Sequence, residues 1–108
     1  MNMSELIRIT KIPEVKSAVT SDLGGGLLDA AGEADGESVA AVAGFLASSL
    51  AEAGEELGLG ALRRIAFAGR SRACLLLAGG ERLTMVSIEP PVAATAVERA
   101  LDDLAQER

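Results

Sequence analysis

The longest stretch of regular hydrophobic spacing runs from residue 39 to residue 57. Val39, Val42, Leu46, Leu50, Ala53 and Leu57 recur at intervals of three and four. That spacing predicts one apolar face of an α-helix about 20 residues long. Asp35 is the expected N-cap, and Glu37 suits the positive end of the helix. Gly58 and Gly60 are expected to stop it. A second stripe, Ala40, Gly44, Ala47, Ala51 and Gly54, contains only small residues. A glycine inside a helix costs about 1 kcal/mol relative to alanine. Two on one stripe therefore point to close approach by another backbone, either in the same chain or in a second copy. An alanine-rich solvated face is the plainer reading. If the stripe is a contact between copies, Leu at Gly44 or Ala47 overpacks it and releases monomers.

Alternating and β-branched patterns on either side of this helix predict strands. Val15 to Ser21 and Leu27 to Ala31 flank the turn Asp22-Leu23-Gly24-Gly25-Gly26 and read as a hairpin. Three more strands follow, over residues 62–68, 72–78 and 83–88, separated by Gly-containing turns that make them antiparallel neighbours. In the first of them Ile65 and Phe67 share one face and Arg64, Ala66 and Ala68 the other. The unbroken run Cys74-Leu75-Leu76-Leu77 suits a strand covered on both faces. A short N-terminal helix, with Ser4 as its expected cap, carries Leu6, Ile7 and Ile9 and ends before Pro13. Pro91 opens a last helix with apolar Val97, Leu101 and Leu104, and with Glu98, Asp102, Asp103 and Glu107 on its solvent side. The expected fold is a single α+β domain over residues 1–108: one five-stranded antiparallel sheet flanked by helices, in the order α-β-β-α-β-β-β-α.

Composition narrows the chemistry. The 108 residues include twenty alanines, two phenylalanines, one cysteine and no histidine, tryptophan or tyrosine. Lack of histidine removes His-based triads, His-ligated metals and His switches. One cysteine excludes an internal disulfide and a Cys-only zinc site. The net charge of −6 and the scarcity of aromatics argue against nucleic-acid binding. No apolar run is long enough for membrane insertion, and the first residues lack a basic, then apolar, leader, so the expected location is cytoplasmic. No cofactor is expected. Gly24-Gly25-Gly26 precedes a strand rather than a helix, so it reads as a turn and not a phosphate loop. Ser48 and Ser49 have no base nearby in sequence. The acidic groups Glu52, Glu55, Glu56 and Asp102, Asp103 read as solvated helix faces.

Charge is unevenly distributed. Seven acids and no base lie between Asp29 and Glu56, whereas five arginines and one acid lie between Arg63 and Arg82. Arg63, Arg70, Arg72 and Arg82 are candidate contacts for an acidic partner, and can equally pair with the chain's own acids.

The segment Ile12-Pro13-Glu14-Val15-Lys16-Ser17-Ala18-Val19 resembles the opening of the roadblock / dynein light chain family. So do the Asp22-Leu23-Gly24 turn, the long helix ending Glu56-Leu57-Gly58-Leu59-Gly60 before Leu62-Arg63-Arg64-Ile65, and the strand Arg82-Leu83-Thr84-Met85-Val86. The resemblance implies a profilin-like layout and a non-enzymatic protein. It implies dimers in which long helices pack together and middle strands join two sheets, and a role in scaffolding or regulating small Ras-like GTPases or associated signalling proteins. The expected dimer interface is Ala40, Gly44, Ala47, Ala51 and Gly54 on the helix, with Leu62, Arg64, Ala66 and Ala68 on the joining strand. Two alternatives stand beside GTPase regulation: a dimerisation adaptor with no effect on hydrolysis, and a small-ligand sensor, which needs a cavity.

Overall fold

The computed structural model describes residues 3–106. Helix α1 (Met3–Thr10) leads into strands β1 (Val15–Asp22) and β2 (Leu27–Ala31), then the long helix α2 (Gly36–Glu56). Strands β3 (Arg64–Ala68), β4 (Ala73–Gly79) and β5 (Arg82–Ile88) follow, and a single 3-10 turn at Pro91–Ala93 opens α3 (Ala94–Gln106). The expected order of elements is the observed one. Ser4 lies inside α1 rather than at its start, with its side chain outside the described residues, as is Glu107.

The strands form one antiparallel sheet in the spatial order β2-β1-β5-β4-β3. Hairpins join β1 to β2, β3 to β4 and β4 to β5. The remaining junction pairs β1 with β5, setting Val19 opposite Met85 and Thr20 opposite Thr84. This long-range pairing puts β5 in the middle, where Leu83 to Ile88 are all buried. It leaves β2 and β3 as the two edges.

Local chemistry fixes the turns. The Asp22 N–H donates to the Gly26 carbonyl at 2.9 Å, and the Gly26 N–H donates back to Asp22 Oδ1 at 2.7 Å. Between them Gly25 takes φ +91°, open to glycine without penalty. At the head of α2 the Ser38 N–H donates to Asp35 Oδ1 at 3.3 Å. At its end the Gly58 N–H reaches the Glu55 carbonyl and the Leu59 N–H the Gly54 carbonyl, with Gly58 at φ +72°. That is a Schellman stop, satisfying carbonyls the helix leaves open. β3 begins two residues later than the pattern predicts, because Leu62 and Arg63 precede the ladder.

Helices α1 and α3 lie on one face of the sheet. Leu6, Ile9, Val97 and Leu101 pack there on Ala18, Leu75, Val86 and Ile88. α2 lies on the other face. There Ala43 and Ala47 meet Leu76, Leu83 and Met85, with Val39, Leu46, Leu62, Ile65 and Cys74 half-buried around them. Cys74 is thus a half-buried small side chain, its Sγ 3.9 Å from Ser87 Oγ.

The two stripes of α2 take the opposite roles to those expected. The residues that turn to the sheet and disappear are Gly36, Ala40, Ala43, Gly44 and Ala47. The reason is the β1–β2 turn. A Cβ on Gly44 would lie 2.6 Å from Gly25 Cα and 2.7 Å from Gly25 N, and a Cβ on Gly25 would meet the α2 backbone at Ala40 and Ala41. Helix and turn touch backbone to backbone, and only small residues fit. The larger stripe is rotated to the flank, where Val39 and Leu46 lean on the sheet and Val42, Leu50 and Leu57 face solvent.

Candidate functional site

Large apolar side chains are exposed on the outer side of α2 and at the β3 rim of the sheet. Ile65 and Phe67 project from β3 toward the α2 side, opposite Leu76 and Cys74 of β4. α2 covers β1 and β5 closely and reaches less far over β4 and β3. Phe67 is therefore 44% exposed at the sheet's rim, and on the helix Val42 is 51% and Phe45 70% exposed. Both phenylalanines of the chain stand on the surface. Aromatic residues are favoured in the buried centres of protein interfaces, where they bury much area at small entropic cost. At this rim β3 pairs only with β4 among the described residues, so its outer backbone groups lack a strand partner. Such an edge, free of proline, is a template for another strand.

The expected interface residues are distributed differently. Ala40 and Gly44 are closed inside the chain, and Ala47 is 8% exposed. The burial of these three is accounted for within one subunit, without a contact between copies. Ala51 and Gly54 are half-buried, and a Cβ on Gly54 would find ordinary space, with Gly60 O at 4.0 Å. No close approach explains that glycine. Leu62 is half-buried under α2, while Ala66 and Ala68 are exposed on the β3 edge strand.

Arg64 is already engaged. It bridges the start of β3 to α3, with Nη1 donating to Glu98 and Nη2 to Asp102 at 2.8 Å. Its guanidinium is raised above its usual pKa, mainly by the hydrogen bond to Asp102 and then by that to Glu98. Arg72 donates from Nε to Glu89 at 2.9 Å, which raises it likewise. Arg82 sits opposite Asp22 in the β1–β5 register. Of the four arginines named for a partner, Arg63 and Arg70 are exposed with no carboxylate pairing them among the described residues.

Sequence periodicity misses Phe45, which belongs to neither stripe, and assigns Val42 and Leu50 to a core-facing row. The available signal is the scarcity of aromatics: a phenylalanine out of phase with both stripes has to point to solvent or to a partner. Among the described residues no group of three or more His, Cys, Asp or Glu side chains could hold a metal ion. No described helix is long and apolar enough to cross a membrane.

No protein-family model matches this chain, and no curated protein matches it. Solved structures do. The chain superposes on a Roadblock/LC7 domain from Streptomyces avermitilis with a TM-score of 0.71 at 21% identity, covering 93% of this chain and 94% of that one.

The chain has the roadblock fold.

Myxococcus xanthus MglB matches with a TM-score of 0.70 at 19% identity, over 92% of this chain and 87% of that one. The gliding protein MglB from Thermus thermophilus matches with a TM-score of 0.71 at 14% identity, over 97% and 88%. Another matching structure is described as MglB with a tetrameric arrangement. These likenesses each cover more than nine-tenths of this chain.

Proposed function

We infer that this roadblock-fold chain is a non-enzymatic module that forms a homodimer and, as a dimer, binds a small Ras-like GTPase or a signalling protein associated with one. The observation that carries the reading is the open edge of β3, together with the exposed apolar side chains Phe67 on that strand and Val42 and Phe45 on α2. A second copy related by a two-fold axis lays its own β3 antiparallel along this edge and its own α2 flank over Phe67. Two five-stranded sheets then continue as one. The contact uses the large apolar residues of α2, leaving the small stripe to hold each subunit together.

The dimer presents two copies of the acidic α2 segment, which carries Glu52, Glu55 and Glu56 near its end and no lysine or arginine. Acids near a helix C-terminus are unfavourable alone, and they suit a partner that brings basic residues. The likeness to MglB supports a GTPase as that partner. Sedimentation equilibrium of the purified chain, followed by calorimetry against a Ras-like GTPase loaded with a non-hydrolysable GTP analogue, tests both halves. A dimer that binds the GTP form is expected. A monomer at micromolar concentration overturns the first half, and a dimer that binds no GTPase in either nucleotide state overturns the second.

A further inference from the structure

The face of the sheet opposite α2 carries a cleft, away from the edge and helix flank to which the proposed dimer contact is assigned. α1 packs on β1 and β2 and α3 on β4, and residues of both helices line the opening. The opening measures about 570 Å³, inside the range of roughly 300–1,000 Å³ typical of small-molecule sites. Its apolar lining is Ile9 from α1, Leu77 from the sheet, and Leu101 and Leu104 from α3. Arg8, Arg63 and Arg64 stand around it with two acids, Glu5 and Asp102. In a chain of net charge −6, this opening carries three arginines against two acids, a local excess of positive charge.

These charges are not equivalent. Arg64 is held by Glu98 and Asp102, which ties α3 to the start of β3 and fixes that wall. Arg63 is its neighbour. The Ala78 N–H donates to the Arg63 carbonyl at 2.9 Å, which anchors the Arg63 backbone at the rim, and no carboxylate pairs its guanidinium among the described residues. A cleft with an apolar strip and one guanidinium that no carboxylate pairs among the described residues suits a ligand with an apolar body and a single negative charge. A guanidinium takes a carboxylate through two parallel hydrogen bonds. The nearby Glu98 and Asp102 disfavour a second negative charge. We propose that the cleft between α1 and α3 binds a small amphipathic monocarboxylate, its apolar chain between Ile9, Leu77 and Leu104 and its carboxylate on Arg63.

The test uses the full chain, uniformly labelled with nitrogen-15, titrated with octanoate and separately with octan-1-ol. With octanoate, amide shifts are expected to saturate and to centre on Ile9, Arg63, Leu77 and Leu101 to Ala105. Arg63→Ala is expected to weaken octanoate by about tenfold, the loss of one charge-assisted contact, and Arg63→Lys to recover part of it. Octan-1-ol, with the same chain and no charge, is expected to lose a similar factor on the unaltered protein, which tests the role of the charge without a substitution. The proposal is overturned if octanoate shifts do not saturate, if they centre on Val42, Phe45 and Phe67, or if Arg63→Ala binds octanoate as tightly as the parent chain.

Discussion

The two faces of the sheet solve the same packing problem with different side chains. On the α1/α3 face, helices stand off and large residues fill the gap: Leu6, Ile9 and Val97 reach down to Leu75, Val86 and Ile88. On the α2 face, the helix comes down until its backbone meets the β1–β2 turn, and Ala40, Ala43, Gly44 and Ala47 are all that fits. A helix seated so low uses little apolar volume of its own. Its large residues are displaced sideways and remain partly in water. One face therefore completes the fold, and the other completes the fold and leaves apolar surface over. The leftover surface is what points to a partner.

Breaking each face in turn separates the two packing modes. The largest loss is expected from Leu75→Ala, because Leu75 is fully buried in the large-residue face. Leu→Ala at such a site costs about 2–5 kcal/mol, the transfer term plus the cavity. Chemical denaturation reads it as a lower midpoint with an unchanged slope. On the opposite face the sensitive change is an addition. Gly44→Leu drives a side chain into the backbone of Gly24 and Gly25, which cannot rotate away as a side chain would. A loss toward the upper part of the usual 1–3 kcal/mol for overpacking is expected, of about 2–3 kcal/mol. It is expected to appear as reduced stability at any protein concentration, since Gly44 is covered within one chain. A Gly44→Leu protein that keeps full stability and only fails to associate would restore the small stripe to the interface between copies.

The start of α2 gives a smaller and more local effect. Asp35→Ala removes the acceptor for the Ser38 N–H and is expected to cost about 1 kcal/mol, the usual value of an N-cap. Weaker again is the bridge from β3 to α3. Its partners are substantially exposed, so Glu98→Gln is expected to cost no more than about 1 kcal/mol, and less at high salt. The sign of the pH dependence follows from Arg64. Its folded pKa is raised, so its contribution is complete below the unfolded value and is lost only as pH climbs past the folded one. Both limits lie at the alkaline extreme of an arginine. Across the neutral range Arg64 contributes no pH-dependent change in stability, and a denaturation series there checks this.

Much of this architecture is legible in the sequence because it is local. Asp35, Gly58, Pro91 and the Asp22–Gly26 turn are read from chemistry within a few residues, and each does the expected work. What is not legible depends on distance along the chain. Two adjacent stripes on α2 are both periodic, so periodicity finds the helix and not its rotation. The rotation is set by Gly25, nineteen residues before Gly44. The pairing of β1 with β5 and the hold of Glu98 and Asp102 on Arg64 have no local signature either, being 34 and 38 residues apart in the latter case. The exposure of Val42 and Leu50 has no local signature for the same reason: the row that periodicity assigns to the core lies beside the core.

The last comparison sets stability against association. Phe45 is 70% exposed and belongs to neither core cluster. Substituting a surface residue of this kind changes stability by no more than about 0.5 kcal/mol. Phe45→Glu is therefore expected to leave the denaturation midpoint of the isolated subunit nearly unmoved. At an interface the same residue is an anchor, and an added charge there must be desolvated without a partner. A dimer lost in sedimentation with the fold intact is the expected result. Pairing Phe45→Glu with Phe67→Ser distinguishes one continuous surface from two separate patches. If both residues meet the same partner, the second substitution adds little once the first has separated the copies. If Phe45→Glu lowers stability as much as Leu75→Ala does, then α2 is seated differently from the arrangement described, and the division of labour between its small and large stripes fails with it.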